Sequence, residues 1–389
     1  MREFHVAIVG GGLVGASLAL GLAEAKLRVA LIEPQAQRPL PDDDAWDVRL
    51  YAVSPGNARF LEALDVWDTL PPDRVARIES MHVFGDRFDA CLELSAYDAG
   101  LRELAFVVEN RLLHDALWRR MRSASAVSVV CPARCASLTW EASAAVLTLE
   151  SGTPVKAKLI IGADGADSWV RQAAGIASKP VSYGQLGVVA NFEVEKPHRG
   201  RAWQWFRDGS VLALLPMPGR RVSMVWSTSE AHGRTLLALG AEALCASVQQ
   251  ASASMLGAMT LIGAPAAFPL QLQRVAAFVR PRLALVGDAA HNVHPLAGQG
   301  VNLGFRDARE LVSVLGDRGA QTDCGDYALL RRYERARRED VLALEVTTDG
   351  LQKLFARDTP WVAVARNVGL NGVNAVALLK NMLVQRAVA

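Results

Sequence analysis

The chain has 389 residues, 51% of them apolar and 21% charged, with 42 Lys and Arg against 40 Asp and Glu for a net charge of +2. That length allows two or three units or one enlarged α/β domain, and the balanced charge excludes the basic surface of a nucleic-acid binder. Cys91, Cys131, Cys135, Cys245 and Cys324 include no Cys-x-x-Cys pair, a pattern of reduced thiols rather than of a disulfide or zinc framework.

At the N-terminus FHVAIVG reads as a strand, a glycine turn follows, LVGASLALGLAEAK has helical spacing, and RVALIE is a second strand ending at Glu33. Together they form a βαβ unit. The same stretch loosely matches a signal peptide, but its glycines argue against one. RLYAVSP reads as extended, PGNARFLEALDVWDTL as a helix, and an irregular, hairpin-containing segment runs to about residue 104. ENRLLHDALWRRMRSA is a helix, and VSVVC, CASLTWE and AVLTLESGTPVKAKLIIGADG alternate as a small β-meander before a return to buried sheet at LIIGAD.

Residues 181–228 hold LGVVANFEV, AWQWF, VLALLPM and RVSMVWS, the signature of a separate antiparallel sheet. A helix over 235–256, the strand-like FPLQLQRV, the strand RLALVG ending at Gly287 and helices from about residue 301 complete the chain. Residues 243–273 are uncharged, yet Gln249, Gln250, Pro265 and Pro269 make them poor material for a bilayer. No transmembrane helix is expected, and the protein is read as cytoplasmic.

Three elements carry chemistry. Gly10-x-Gly12-x-x-Gly15 follows a strand and opens a helix, with Glu33 ending the next strand. This is the dinucleotide fingerprint: a tight turn, close backbone approach to a pyrophosphate, close helix packing and a carboxylate for a ribose. The second is LIIGADGADSWVR with Asp164, and the third is GDAAHNVHPLAGQGVNLG with Asp288. A carboxylate at a buried strand end can accept from a ribityl hydroxyl, and a glycine-rich helix start places N–H groups and a positive dipole against a flavin that turns anionic when reduced. Asp288, His291 and His294 stand three apart, but Pro295 and the glycines break the helix that would align them, so no metal is expected. The two histidines read as satisfied loop residues, and His291→Ala is expected to leave the cofactor bound. Trp203 and Trp205 in AWQWF read as packing or lining one sheet face. They lack the Ile-Pro that continues the W-x-W motif of flavin-dependent halogenases.

The three motifs in this order, with HPLAGQGVNLGFRDA and ENRLLHDAL, resemble the single-component FAD-dependent aromatic hydroxylases, most of all the ubiquinone-biosynthesis branch, over about residues 4–310. The resemblance implies an α/β fold in which a Rossmann-like FAD-binding domain (1–75, 105–180 and 275–325) is interrupted by an antiparallel β-sheet substrate domain (76–104 and 181–274), with a C-terminal helical region at 326–389. By position it implies that Gly10, Gly12, Gly15 and Glu33 hold the adenosine diphosphate and that Arg49 and Arg111 lie along the FAD. Asp164 then serves FAD and the nicotinamide donor, Asp288 binds the ribityl chain, and Pro295, Gly298, Gly300, Val301 and Asn302 line the flavin ring. Arg49 and Arg111 would otherwise pass as surface arginines.

No second G-x-G-x-x-G follows a strand, so NAD(P)H is expected as a transient co-substrate. The implied reaction adds O2 to reduced flavin to give a flavin hydroperoxide, which hydroxylates a hydrophobic polyprenylated phenol. No residue is nominated as catalytic base. The rival readings are an isoprenoid epoxidase or reductase and a non-catalytic flavin scaffold in a biosynthetic complex. For VNAVALLKNMLVQRAVA at the C-terminus, contact with a membrane or partner and closure of the core both stay open. Oligomeric state is not written in these motifs.

Overall fold

Strands covered on both faces must be apolar throughout, and HVAIV, VALI and LIIG are such runs. In the computed structural model, which describes residues 3–41, 44–85, 91–207, 209–292 and 300–355, they pair in parallel. The order is Leu283–Leu285, Pro154–Gly162, Glu3–Val9, Val29–Ile32, Val127–Val130. Val9 is level with Gly162 and Ile32, and Gly162 with Leu285, so the strands end on one line. Helix Leu13–Glu24 packs between this sheet and helix Gly300–Gly316. A glycine on each helix allows a close crossing: a Cβ at Gly304 would lie 2.4 Å from Val14 Cγ2, and one at Gly21 2.6 Å from Val312 Cγ2.

The chain leaves this sheet after Gly162 and re-enters it at the antiparallel edge strand Val279–Arg280, beside Leu283–Leu285. Between these points it builds most of an eight-stranded sheet, antiparallel except where Arg201–Arg207 runs parallel to Ser80–Phe84. The fold is therefore α/β, a Rossmann-like sheet with an inserted antiparallel sheet. One face of the inserted sheet carries Val188, Phe192, Trp203, Trp205, Met224 and Trp226 under the helical residues Leu236, Leu244 and Val248. Trp205 stacks on Phe84, with ring centroids 5.7 Å apart, so both tryptophans of AWQWF pack the helix-covered face. A three-stranded sheet of Leu50–Val53, Ala105–Glu109 and Ala76–Ile78 packs through Ala52, Ile78 and Val107 on Ala202 and Leu215.

Several elements depart from the pattern reading. VSVVC is the edge strand of the parallel sheet, and the meander consists of Cys135–Trp140, Ala145–Leu149 and Pro154–Gly162. The last of these joins the meander to the parallel strands within one sheet: its first half alternates buried and less buried residues while Leu159–Gly162 is wholly buried. The single helix expected over 235–256 is two, Glu230–Ala238 and Ala241–Ala251, with Gly240 as N-cap of the second. The helix beginning at Pro55 stops at Glu62, where the chain turns through Asp65 at φ +56°. FPLQLQRV is the end of a longer strand, Met259–Val275. All five cysteines are free thiols. Among the described residues no helix is long and apolar enough to cross a membrane. The C-terminal helical region is described as helix Tyr327–Phe355, and VNAVALLKNMLVQRAVA lies outside the described residues.

Candidate cofactor site

Aligned strand ends bring the three motifs to one edge of the parallel sheet, where open α/β sheets take their ligands. At Gly10, φ is +107° and a Cβ would lie 2.3 Å from the Ala163 carbonyl oxygen. A Cβ at Gly15 would lie 2.0 Å from the Gly10 oxygen. The Gly11 N–H donates to Glu33 Oε2 at 2.7 Å, which sets the acid beside the turn. The Gly11 carbonyl accepts from Trp118 Nε1 at 2.8 Å, with His114 Nε2 3.0 Å away, so helix Asn110–Ser123 braces the loop. Gly12 is the N-cap of helix Leu13–Glu24, in extended conformation and with no side-chain cap. A Cβ there would meet no atom within 4 Å. The first N–H groups of that helix have no intrahelical acceptor, and they face the space beside Gly12.

Asp164 follows the next strand. Its Oδ2 accepts from Val170 N at 3.0 Å, whereas Oδ1 is buried and has no partner among the described residues. Burial pushes its carboxyl up against the pull of Ser168 and Val170. Buried Arg171 donates through one terminal nitrogen to the Ala166 oxygen at 2.7 Å and through the other to the Ala289 oxygen at 3.0 Å. The second and third motifs are thereby tied together.

Asp288 lies in a short turn, Gly287–Ala289, between Leu283–Leu285 of the parallel sheet and His291–Asn292 of the inserted one. The residue keeps accessible surface although protein crowds it. This crowding pushes its carboxyl above the ordinary range, with Asp307 adding to the rise and His291 and Arg49 opposing it. His291 is itself buried and paired with Asp307 at 2.6 Å.

Arg49 and Arg111 come together because Leu50 pairs with Glu109 across two strands. The fully buried Glu109 accepts from Arg74 Nε at 2.8 Å and from Asp47 N at 2.6 Å, and lies 3.3 Å from Arg111 Nε. Arg49 acts electrostatically on both Tyr51 and Asp288.

Gly300 opens helix Gly300–Gly316, and Val301 packs on the core. The Asn302 amide is committed within the protein: it donates to the Ala52 oxygen at 2.7 Å and accepts from Ser54 N and Asn57 Nδ2, each at 2.9 Å. It thus staples the helix start to the strand at Leu50–Val53. Pro295, Gly298 and His294 lie outside the described residues. Among the described residues no group of three or more His, Cys, Asp or Glu could hold a metal.

These residues fit FAD. The uncapped helix end at Gly12 has room for a pyrophosphate, Asp164 carries an orphaned buried acceptor, and Asp288 is an accessible carboxylate in crowded surroundings. A Rossmann-like parallel sheet with these strand ends, joined to an inserted antiparallel sheet, is the arrangement of a dinucleotide-binding domain carrying a second sheet.

The family described as FAD binding domain matches residues 3–346. Ubiquinone hydroxylase UbiL of Rhodospirillum rubrum is 38% identical over 387 residues, 98% of this chain and 89% of that protein. The 3-demethoxyubiquinol 3-hydroxylase of Escherichia coli is 35% identical, covering 98% of both. Among solved structures, PqsL of Pseudomonas aeruginosa, a probable FAD-dependent monooxygenase, aligns with a TM-score of 0.78 at 22% identity, over 95% of this chain and all of that one. Klebsiella pneumoniae HpxO, solved with FAD and uric acid, aligns at 0.74 and 18%, over 98% and 97%. This chain belongs to the FAD binding domain family of FAD-dependent monooxygenases, in the branch of the ubiquinone-biosynthesis hydroxylases.

Were the ribityl chain of a bound FAD to donate to Asp288, it would favour the charged form of that carboxyl. FAD affinity should then be highest where the carboxyl is ionised and fall as pH is lowered through its raised value, sooner than for an ordinary aspartate. Flavin fluorescence quenching titrated between about pH 8 and 4 checks this. Asp288→Asn should weaken binding at neutral pH and flatten the acid limb.

Proposed function

We propose that this protein hydroxylates the aromatic ring of a polyprenylated phenol in ubiquinone biosynthesis, using NAD(P)H and O2. One oxygen atom enters a ring C–H bond as hydroxyl, and the other leaves as water with two electrons from NAD(P)H and a proton. Bound FAD supplies the hydride acceptance and oxygen activation. The chain's residues divide the remaining work: the helix end at Gly12 and the Glu33 carboxylate hold the adenosine diphosphate, Asp288 the ribityl chain, and Arg49 and Arg111 the length of the cofactor. Segments 1–75, 105–180 and 275–325 form the FAD-binding domain and 76–104 and 181–274 the substrate domain.

The observation that carries this reading is the inserted sheet's second face. It turns Gln204, Ser223 and Ser227 inward, all buried, beside Val189, Val211 and Ala213. Asn191 on the same face donates to the Asp47 oxygen at 2.9 Å, bringing it to the segment that carries Arg49. A buried face that mixes hydrogen-bonding and apolar side chains is the kind of lining a phenol with a hydrocarbon tail calls for. Such a substrate dissolves in lipid, which supports peripheral association with a membrane or a biosynthetic complex.

The FAD-loaded protein should oxidise NAD(P)H faster when a short-chain polyprenylphenol is added, and mass spectrometry should find the product heavier by one oxygen. Oxidation without oxygen transfer would favour a reductase, transfer to an isoprenoid double bond an epoxidase, and flavin that no nicotinamide reduces a scaffold.

A further inference from the structure

Asp307 lies on helix Gly300–Gly316 and is fully buried. Its Oδ2 accepts from the Gly287 N–H at 2.8 Å and pairs with His291 Nε2 at 2.6 Å, and its Oδ1 accepts from Arg337 Nε at 2.7 Å. Burial alone would raise this carboxyl, but His291 and Arg337 hold it below its ordinary value. Gly287 has φ +58°, so the chain reverses there, and the amide fixed by Asp307 immediately precedes Asp288.

Arg337 belongs to helix Tyr327–Phe355, outside the three FAD motifs. Two neighbours on that helix grip the same strand-and-turn unit. Tyr333 donates to the Leu285 oxygen at 2.9 Å, and Glu334 accepts from Phe278 N at 2.9 Å. Positions 333, 334 and 337 share one helix face, and all three side chains are buried. A helix secured only by apolar packing would need no such row. Buried charges are costly to maintain unless fully paired, and what they add is a defined geometry.

We infer that Arg337 and Asp307 are positioning residues for FAD, through which the helix Tyr327–Phe355 sets the turn that presents Asp288. The inference rests on the placement of the ribityl chain at Asp288. Neither residue need touch the cofactor. Arg337 holds Asp307, Asp307 holds Gly287 N–H, and the direction of the Asp288 carboxylate follows.

The test measures FAD dissociation constants and the visible circular dichroism of bound flavin for the full-length protein, at a temperature where each variant is folded. Arg337→Met removes the bonds to both Asp307 and Asp340; with only the first leading to the Asp288 turn, it should weaken FAD binding by about tenfold, the size of one charge-assisted hydrogen bond, and alter the dichroism. Arg337→Lys should recover part of both, because an ammonium can still donate to Asp307. Leu330→Ala removes buried apolar volume from the same helix and should lower stability while leaving the dissociation constant within about twofold. Should Arg337→Met fail to fold, Asp307→Asn provides the same comparison. Equal effects of Arg337→Met and Leu330→Ala, or no effect of Arg337→Met while Asp288→Ala weakens binding, would overturn the inference. An unchanged constant in Asp288→Ala would instead remove the ribityl placement on which it rests.

Discussion

Gly12→Ala is expected to leave the apoprotein folded and to weaken FAD binding roughly a hundredfold, about 2.7 kcal/mol. The two consequences separate because of where the added methyl group would sit. At Gly12 the backbone is extended and a Cβ meets nothing within 4 Å, so the fold loses only the modest preference for glycine over alanine at an N-cap, about 1 kcal/mol or less. That same open space lies at the helix N-terminus, where a pyrophosphate must approach the backbone closely. Gly10→Ala and Gly15→Ala should behave differently. Their methyl groups would press within 2.3 Å of the Ala163 oxygen and 2.0 Å of the Gly10 oxygen, so each should lose the fold along with the cofactor. Thermal unfolding of the three apoproteins beside FAD titration of those that fold distinguishes the cases. A Gly12→Ala protein that binds FAD like the parent would move the pyrophosphate away from this helix end.

This contrast marks what was legible in the sequence. A glycine fingerprint is local: strand, turn and helix are contiguous, and each glycine's role follows from its place within six residues. The parallel strands were legible for the same reason, since HVAIV, VALI and LIIG need no partner to be read as buried. Interactions between distant segments were not. Asp307 stands in an ordinary helical stretch, and nothing near it in the chain announces that Gly287 lies 20 residues before it and Arg337 30 residues after it. Arg171 was visible inside LIIGADGADSWVR, but its reach to Ala289 spans 118 residues. Asn302 was read as a flavin-lining residue from its motif, yet its amide is spent on Ala52, Ser54 and Asn57, some 250 residues earlier. The split at Gly240 and the place of VSVVC failed for another reason. Periodicity reports which face is buried, and both neighbouring helices at Gly240 bury one face in similar spacing, while a run as short as VSVVC reads alike in a meander and at a sheet edge.

Glu109→Ala should cost roughly 3 kcal/mol of stability, at the low end for breaking a buried ion pair, and should also weaken FAD binding. The low end applies because neither arginine is stranded. Arg74 and Arg111 keep 16% and 21% side-chain exposure, and Arg74 retains the Ala45 oxygen at 2.9 Å and the Trp46 ring at 3.9 Å. The greater loss falls on the segment before Arg49. Asp47 N donates to Glu109 at 2.6 Å, while Asp47 accepts from both Arg49 N and Arg111 N. Without the carboxylate this closed set opens, and the two arginines expected along the FAD lose their common anchor. Glu109→Gln separates charge from hydrogen bonding: its amide oxygen can still accept from Asp47 N, but it no longer offsets two guanidiniums. It should retain most of the FAD affinity while losing part of the stability. Denaturant unfolding of the apoprotein and FAD titration read the two effects independently. If Glu109→Gln lost affinity as fully as Glu109→Ala, the negative charge itself, rather than the bond to Asp47, would set the course of this segment past the cofactor.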